Sequence, residues 1–310
     1  MTPGQFLLRF YHTPVGRIRD SLRNGGPWQE QRTERGRQAM ELAARELPLL
    51  SAAAGHPVEL HLLTGRRFWY QTAFCLWSLA RQARRPLAPV IYDDGSLTPE
   101  YREPLARLFP ATRFVAGDES RARLDAHLPS ARYPVLRERW ASYPNIRKLI
   151  APHLGRSGWK LVIDSDLLFF RPPGFLLDWL DAPARPFHAV DCESSYGYSR
   201  SLLDTLAGAP LAELVNVGLT GLDSAAIDWD RLEHWTRELH AREGTSYYLE
   251  QALIAMLVAG RDCAVAPAAD YVTLPQPPEA MECRAVMHHY VAESKRWYFQ
   301  HNWRRALVAP

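Results

Sequence analysis

Three apolar residues, Leu161, Val162 and Ile163, run without polar alternation into Asp164-Ser165-Asp166, and no other stretch limits the possible folds of this chain so strongly. Such a run is the pattern of a strand buried on both faces of a parallel sheet. A second apolar run, Leu167 to Phe170, follows at once, and Arg171-Pro172-Pro173 ends it because proline cannot donate to a β-ladder. Two carboxylates are therefore expected at the carboxyl edge of a sheet, where open α/β folds bind their ligands. Neighbouring ionised carboxylates repel unless a cation lies between them. A hard divalent ion, Mn2+ or Mg2+, that also takes phosphate oxygens is one explanation, and a solvated acidic turn is the other.

The chain of 310 residues, 47% hydrophobic, can bury a substantial core. Its formal net charge of +3 is too small to imply nucleic-acid binding, and no basic stripe interleaved with aromatics is present. The four cysteines, Cys75, Cys192, Cys263 and Cys283, are widely spaced, which suits free thiols in a reducing compartment. Apolar runs are shorter than the roughly 20 residues of a membrane span, and Phe6 to Phe10 is too short for a signal-peptide core. A cytoplasmic protein is expected.

Residues 1–54 differ from the rest and are expected to form a basic, helical N-terminal appendage. Phe6, Leu7, Leu8, Phe10 and Tyr11 alternate with Arg9, Arg17, Arg19 and Arg23, and a helix is expected over 28–50. The segment is either a strap across the domain or an arm resting on an anionic membrane surface. From residue 55 to 310 strand and helix alternate. Strands are expected at 58–63, 89–92 and 113–116, with helices at 68–84 and 99–109, the latter capped by Thr98. A helix over 139–154 broken by Pro144 leads into the Asp-Ser-Asp strand, and Ser199 is expected to cap another. Strands at 187–191, 214–222 and 285–290 and a closing helix at 293–307 complete the pattern. Neither a Gly-x-Gly-x-x-Gly nor a P-loop motif occurs, so phosphates must be held some other way.

Taken in order, these motifs resemble the metal-dependent nucleotide-sugar glycosyltransferases of the GT-A fold, and within them the retaining group of glycogenin and the lipopolysaccharide galactosyl- and glucosyltransferases. The likeness spans roughly residues 57–300. It implies a Rossmann-like α/β fold with a mainly parallel central sheet flanked by helices. It implies that Asp164, Asp166 and His289 ligate Mn2+ (or Mg2+), and that Lys295 reaches the donor diphosphate. Arg147 or Lys148 then contacts the donor, Thr64, Asp93 and Asp94 hold the nucleoside, and Ser165, Asn216, Gly218 and Trp297 complete the donor site. Glu250-Gln251 stands for the family's Asp-Gln pair beside the transferred sugar. Asp191, read from its place at the end of a strand, is either an acceptor-side carboxylate or a strand-end cap. Two departures stand out: Ala292 replaces the usual glycine three residues after the histidine, and Arg296 replaces the proline after the lysine.

The activity implied is transfer of a hexose from a nucleoside diphosphate sugar, UDP-linked by resemblance, to a hydroxyl acceptor on a glycan, lipid or small molecule. The rivals are sugar-phosphate nucleotidyl transfer, against which Thr64-Gly65-Arg66-Arg67 lacks the glycine-rich loop, and a nucleotide-sugar-binding domain without turnover.

Overall fold

The computed structural model describes residues 25–51 and 55–308. Residues 1–24, on which the basic aromatic arm was read, lie outside them. A seven-stranded sheet in the order β3-β2-β1-β4-β7-β6-β8 forms the centre, built from Arg113–Val115 (β3), Leu87–Asp93 (β2), Val58–Thr64 (β1), Trp159–Ile163 (β4), Val215–Asp223 (β7), Phe187–Val190 (β6) and Ala264–Val265 (β8). All neighbours pair in parallel except β7, which runs antiparallel to both β4 and β6. The sheet is thus mainly parallel, as the strand–helix alternation predicts. The Asp-Ser-Asp strand itself departs from expectation, having one parallel and one antiparallel neighbour.

Leu167–Phe169 (β5) does not extend the central sheet. It pairs antiparallel with Met287–His289 (β10), which pairs in parallel with Tyr271–Thr273 (β9). The chain changes sheets at Asp164-Ser165-Asp166, and this change of direction brings the far end of the sequence back to those aspartates.

The sheet is covered on both faces. The helix Trp69–Ala83 has every residue buried except Arg81, because it lies between the sheet and an outer layer formed by Pro27–Arg45 and the C-terminal segment. Met40, Ala44 and Leu47 join the main core, and Gly36 lets the outer helix approach so closely that a Cβ there would lie 2.2 Å from the Phe299 carbonyl oxygen. The opposite face carries a second core around Ile146, Leu149, Leu253 and Trp235.

Several local expectations need correction. The helix expected over 139–154 is two helices, Pro134–Ser142 and Ile146–His153, because Pro144 biases Tyr143 towards extended backbone. Thr98 and Ser199 occupy cap positions without a side-chain capping bond; the Ser199 hydroxyl donates to Glu243 instead. The closing helix is segmented into Lys295–Trp297, a π-helical turn Tyr298–Asn302 and Trp303–Val308.

Candidate active site

Asp164 leaves β4 with its N–H donating to the Gly218 carbonyl of β7 at 2.8 Å, and the Asp166 carbonyl accepts from Tyr290 N at 3.0 Å. The turn is therefore pinned between the central sheet and β10. His289, the last residue of β10, places Nε2 3.5 Å from Asp166 Oδ1 and 3.9 Å from Asp164 Oδ2. One ligand atom from each of the three residues lies within 4.8 Å of the others. Its neighbour His288 points to the other face, as strand alternation requires, and bonds Glu279 and the Tyr290 hydroxyl.

The tautomer of His289 follows from its surroundings. Asn216 Oδ1 accepts the Gly218 N–H at 2.9 Å, which identifies that atom as the carbonyl oxygen, and His289 Nδ1 lies 3.1 Å from it. Nδ1 must then carry the proton, so a neutral ring turns its Nε2 lone pair towards two carboxylates. Three lone-pair donors converging in this way fit a divalent cation of the Mn2+ or Mg2+ type. Gly218 makes room for the ring, since a Cβ there would stand 2.3 Å from His289 Cε1.

Two lysines complete the electrostatics. Lys148 Nζ lies 2.8 Å from Asp164 Oδ1 and 3.3 Å from Glu250 Oε2, while Lys295 Nζ lies 3.1 Å from Asp166 Oδ2. Burial alone would lower the Lys148 ammonium, but Asp164 and Glu250 outweigh it and raise it. Burial pushes Glu250 up to about 7 against the pull of Lys148. For Asp166, burial is overcome by Lys295 and His289, and the carboxyl is held well below its ordinary range. The Asp166 carboxylate raises Lys295 in turn. Each outer carboxylate oxygen thus has a lysine and each inner one faces His289.

These groups open into a cleft of about 720 Å3, which also exposes Asp191, Asn216 and Gln251. Gln251 Nε2 donates to Asp191 Oδ2 at 2.8 Å and to the Val215 carbonyl at 3.1 Å, fixing Asp191 just beyond β6.

Other residues singled out in the sequence lie beside the cleft rather than in its walls. Ser165 and the buried Thr64 are both hydrogen-bonded to Thr72 Oγ1 at 2.8 Å, so this hydroxyl chain braces the turn from behind. Asp93 accepts from Gly95 N, Leu97 N and Arg102, and Asp94 from Ser96, so both organise the loop after β2. Arg147 turns away to the carbonyls of Trp140 and Asp94, leaving Lys148 as the cation of this helix that enters the cleft. Trp297 is half-buried under the Arg296 guanidinium and beside His301. The sequence reading missed Tyr143, Tyr247, Tyr248, Glu193 and Glu293, all of which line the cleft. The Tyr247-Tyr248 pair just before Glu250 was the one available signal.

No protein-family model matches the chain, and no curated protein matches it by sequence. Solved structures do match. Mouse xyloside xylosyltransferase 1 aligns with 77% of this chain and 99% of its own at 14% identity and a TM-score of 0.52. The galactosyltransferase LgtC, solved with donor and acceptor sugar analogues, aligns with 80% of this chain and 95% of its own at 12% identity and a TM-score of 0.52. The bifunctional glycosyltransferase WbbM aligns with 84% of this chain at 12% identity and a TM-score of 0.51, and there the match spans 51% of its length. The chain has the GT-A fold that these glycosyltransferases display.

Proposed function

We propose that this protein is a glycosyltransferase that moves a hexose from a nucleoside diphosphate sugar, with UDP as the nucleotide, to a hydroxyl acceptor. The observation that carries the proposal is the meeting of Asp164, Asp166 and His289 at the edge of a GT-A sheet, with two lysines on the same carboxylates. The likeness to xylosyl- and galactosyltransferase structures supports it.

Asp164, Asp166 and His289 would hold Mn2+ or Mg2+, which supplies a positive centre for the donor diphosphate. Lys295, half-exposed at the cleft, would leave Asp166 for the β-phosphate as negative charge accumulates there. In the transfer, the acceptor oxygen bonds to the anomeric carbon and the bond from that carbon to the diphosphate oxygen breaks. The acceptor proton passes to the departing diphosphate if configuration is retained, or to Asp191 or Glu250 if it is inverted. Glu250, shifted towards neutral pH by burial, and Lys148 line the cleft beside the metal cluster, where the transferred sugar would lie. The Gln251 amide holds Asp191 in a fixed orientation there.

Incubating the protein with UDP-hexoses and Mn2+ and measuring UDP release, with and without an acceptor extract, tests the reading. Metal-dependent release from at least one donor is expected. Pyrophosphate release from a nucleoside triphosphate and a sugar phosphate would instead favour nucleotidyl transfer.

A further inference from the structure

The sheet order gives the cleft two flanks. The loops after β1 and β2 lie on one side of the metal cluster, which follows β4, while Asp191 follows β6, two strands further along in the other direction. Asp191, Cys192, Glu193 and Ser195 therefore line the flank away from Thr64 and Asp94. Tyr247 and Tyr248 also line the cleft, 73% and 38% exposed, with their rings edge to face at 5.4 Å. Their backbone is anchored: the Tyr143 hydroxyl donates to the Tyr247 carbonyl, and Tyr248 N donates to Ser246 Oγ at 3.1 Å. Tyrosine rings on an anchored backbone, left in water at a cleft, provide contact area at little cost in side-chain entropy because they have only two rotatable angles.

Charge narrows what can approach. Asp164, Asp166, Asp191, Glu193, Glu250 and Glu293 line the cleft against Lys148 and Lys295. Both lysines are engaged by Asp164, Asp166 and Glu250, so Asp191, Glu193 and Glu293 have no basic partner among the described residues. With Glu250 partly protonated near neutral pH, a divalent ion would offset at least half of the carboxylate excess, and a bound diphosphate would restore it. The field on this flank stays negative with the donor site empty or filled.

We propose that the acceptor is a neutral saccharide whose ring lies against Tyr247 and Tyr248, and that Asp191, Glu193 and Glu293 turn away acceptors bearing a carboxylate or phosphate. The word acceptor rests on the transferase reading, whereas the field on this flank does not. Potentials of several kT inside such clefts change encounter with a charged molecule by about tenfold or more.

Cys192 is exposed in the same wall and reports this field without any substrate. Its labelling by a trimethylammonium-bearing and a sulfonate-bearing methanethiosulfonate can be followed at the Cys192 peptide by mass spectrometry. Both reagents meet the same thiol, so its thiolate fraction cancels in the ratio. The cationic reagent should gain about tenfold over its ratio on a small free thiol, and the gain should shrink in the Glu193→Gln/Glu293→Gln variant. An unchanged ratio, or a gain the variant retains in full, would overturn the proposal. In a second arm, methyl hexosides are compared with the matching methyl hexuronides as acceptors. The neutral member should have the higher kcat/KM by about tenfold, narrowing in the same variant, and a preference for the hexuronide would overturn the proposal. Where neither is used, the thiol arm alone decides. UDP-hexose binding, measured separately by calorimetry, distinguishes the failures: its absence sinks the transferase reading while the thiol ratio still judges the field.

Discussion

At the scale of single residues, the assignment turns on which charges are free to respond to a ligand. Lys148 is largely buried between Asp164 and Glu250, whereas the Lys295 side chain keeps 40% of its exposure and, among the described residues, has Asp166 as its one ion-pair partner. Lys295 is therefore the lysine freer to move to a phosphate, with Asp166 then left to the metal. Lys295→Ala should lower kcat by more than about tenfold while donor affinity changes by less than about threefold, because its charge matters most as the diphosphate departs. Equal losses in both, read from steady-state rates and calorimetry, would make it a ground-state contact. Asp164 and Asp166 were readable from the sequence because carboxylates after a buried strand carry their own chemistry, whereas His289 was reached only through the family resemblance. The choice of Lys148 over Arg147 was not readable, since adjacent residues on a helix point in directions that only tertiary packing decides.

At the scale of elements, the site depends on β7 and β10 meeting side by side. Asn216 and Gly218 were read as ligand-approach residues; in the fold they orient His289 and leave space for its ring. Gly218→Ala should leave the sheet folded but push the imidazole away, weakening Mn2+ binding by about tenfold or more, the scale of lost orienting contacts in metal sites. Calorimetric Mn2+ titration of the variant in the presence of UDP checks this, and unchanged affinity would remove Gly218 from the account. Ala292 adopts φ 43°, in the left-handed region that glycine enters with less strain, so a glycine would fit this position better. Strand positions were legible from apolar runs. The turn of β5 into a second sheet was not, because apolarity does not name the partner strand. The helices Gly117–His127 and Pro134–Ser142 carry few buried apolar residues, which left them without a clear periodic signature.

At the scale of the whole molecule, the class of fold was legible from strand–helix alternation, while for the charge-rich outer helix Pro27–Arg45 the sequence offered a strap or a membrane arm, and in the fold its Met40 and Ala44 join the main core. Among the described residues no helix is long and apolar enough to cross a membrane. The interior also sets the response to acid. Burial pushes His153 down to about 3 and lowers His61, His188 and His288 as well. Between those depressed values and the ordinary 6.5, the unfolded chain binds protons that the folded histidines refuse, so the stability these histidines contribute is full above pH 6.5 and falls as pH drops. His153 alone should cost on the order of 2 kcal/mol between pH 6.5 and 5. Glu250, pushed up to about 7, works in the opposite sense over the same range. The histidine part is therefore read from the difference between the protein and His153→Gln: the Tm of the variant should fall less from pH 7 to 5, and an identical pH dependence in both would contradict this burial. The central claim is tested most directly by thermal unfolding with UDP and Mn2+ added singly and together. Together, at about a hundred times the dissociation constant, they should stabilise by about 2.7 kcal/mol, with little shift from either alone and none in His289→Ala. An equal shift from UDP without metal, or a full shift in His289→Ala, would contradict the three-residue metal site and the transferase reading built on it.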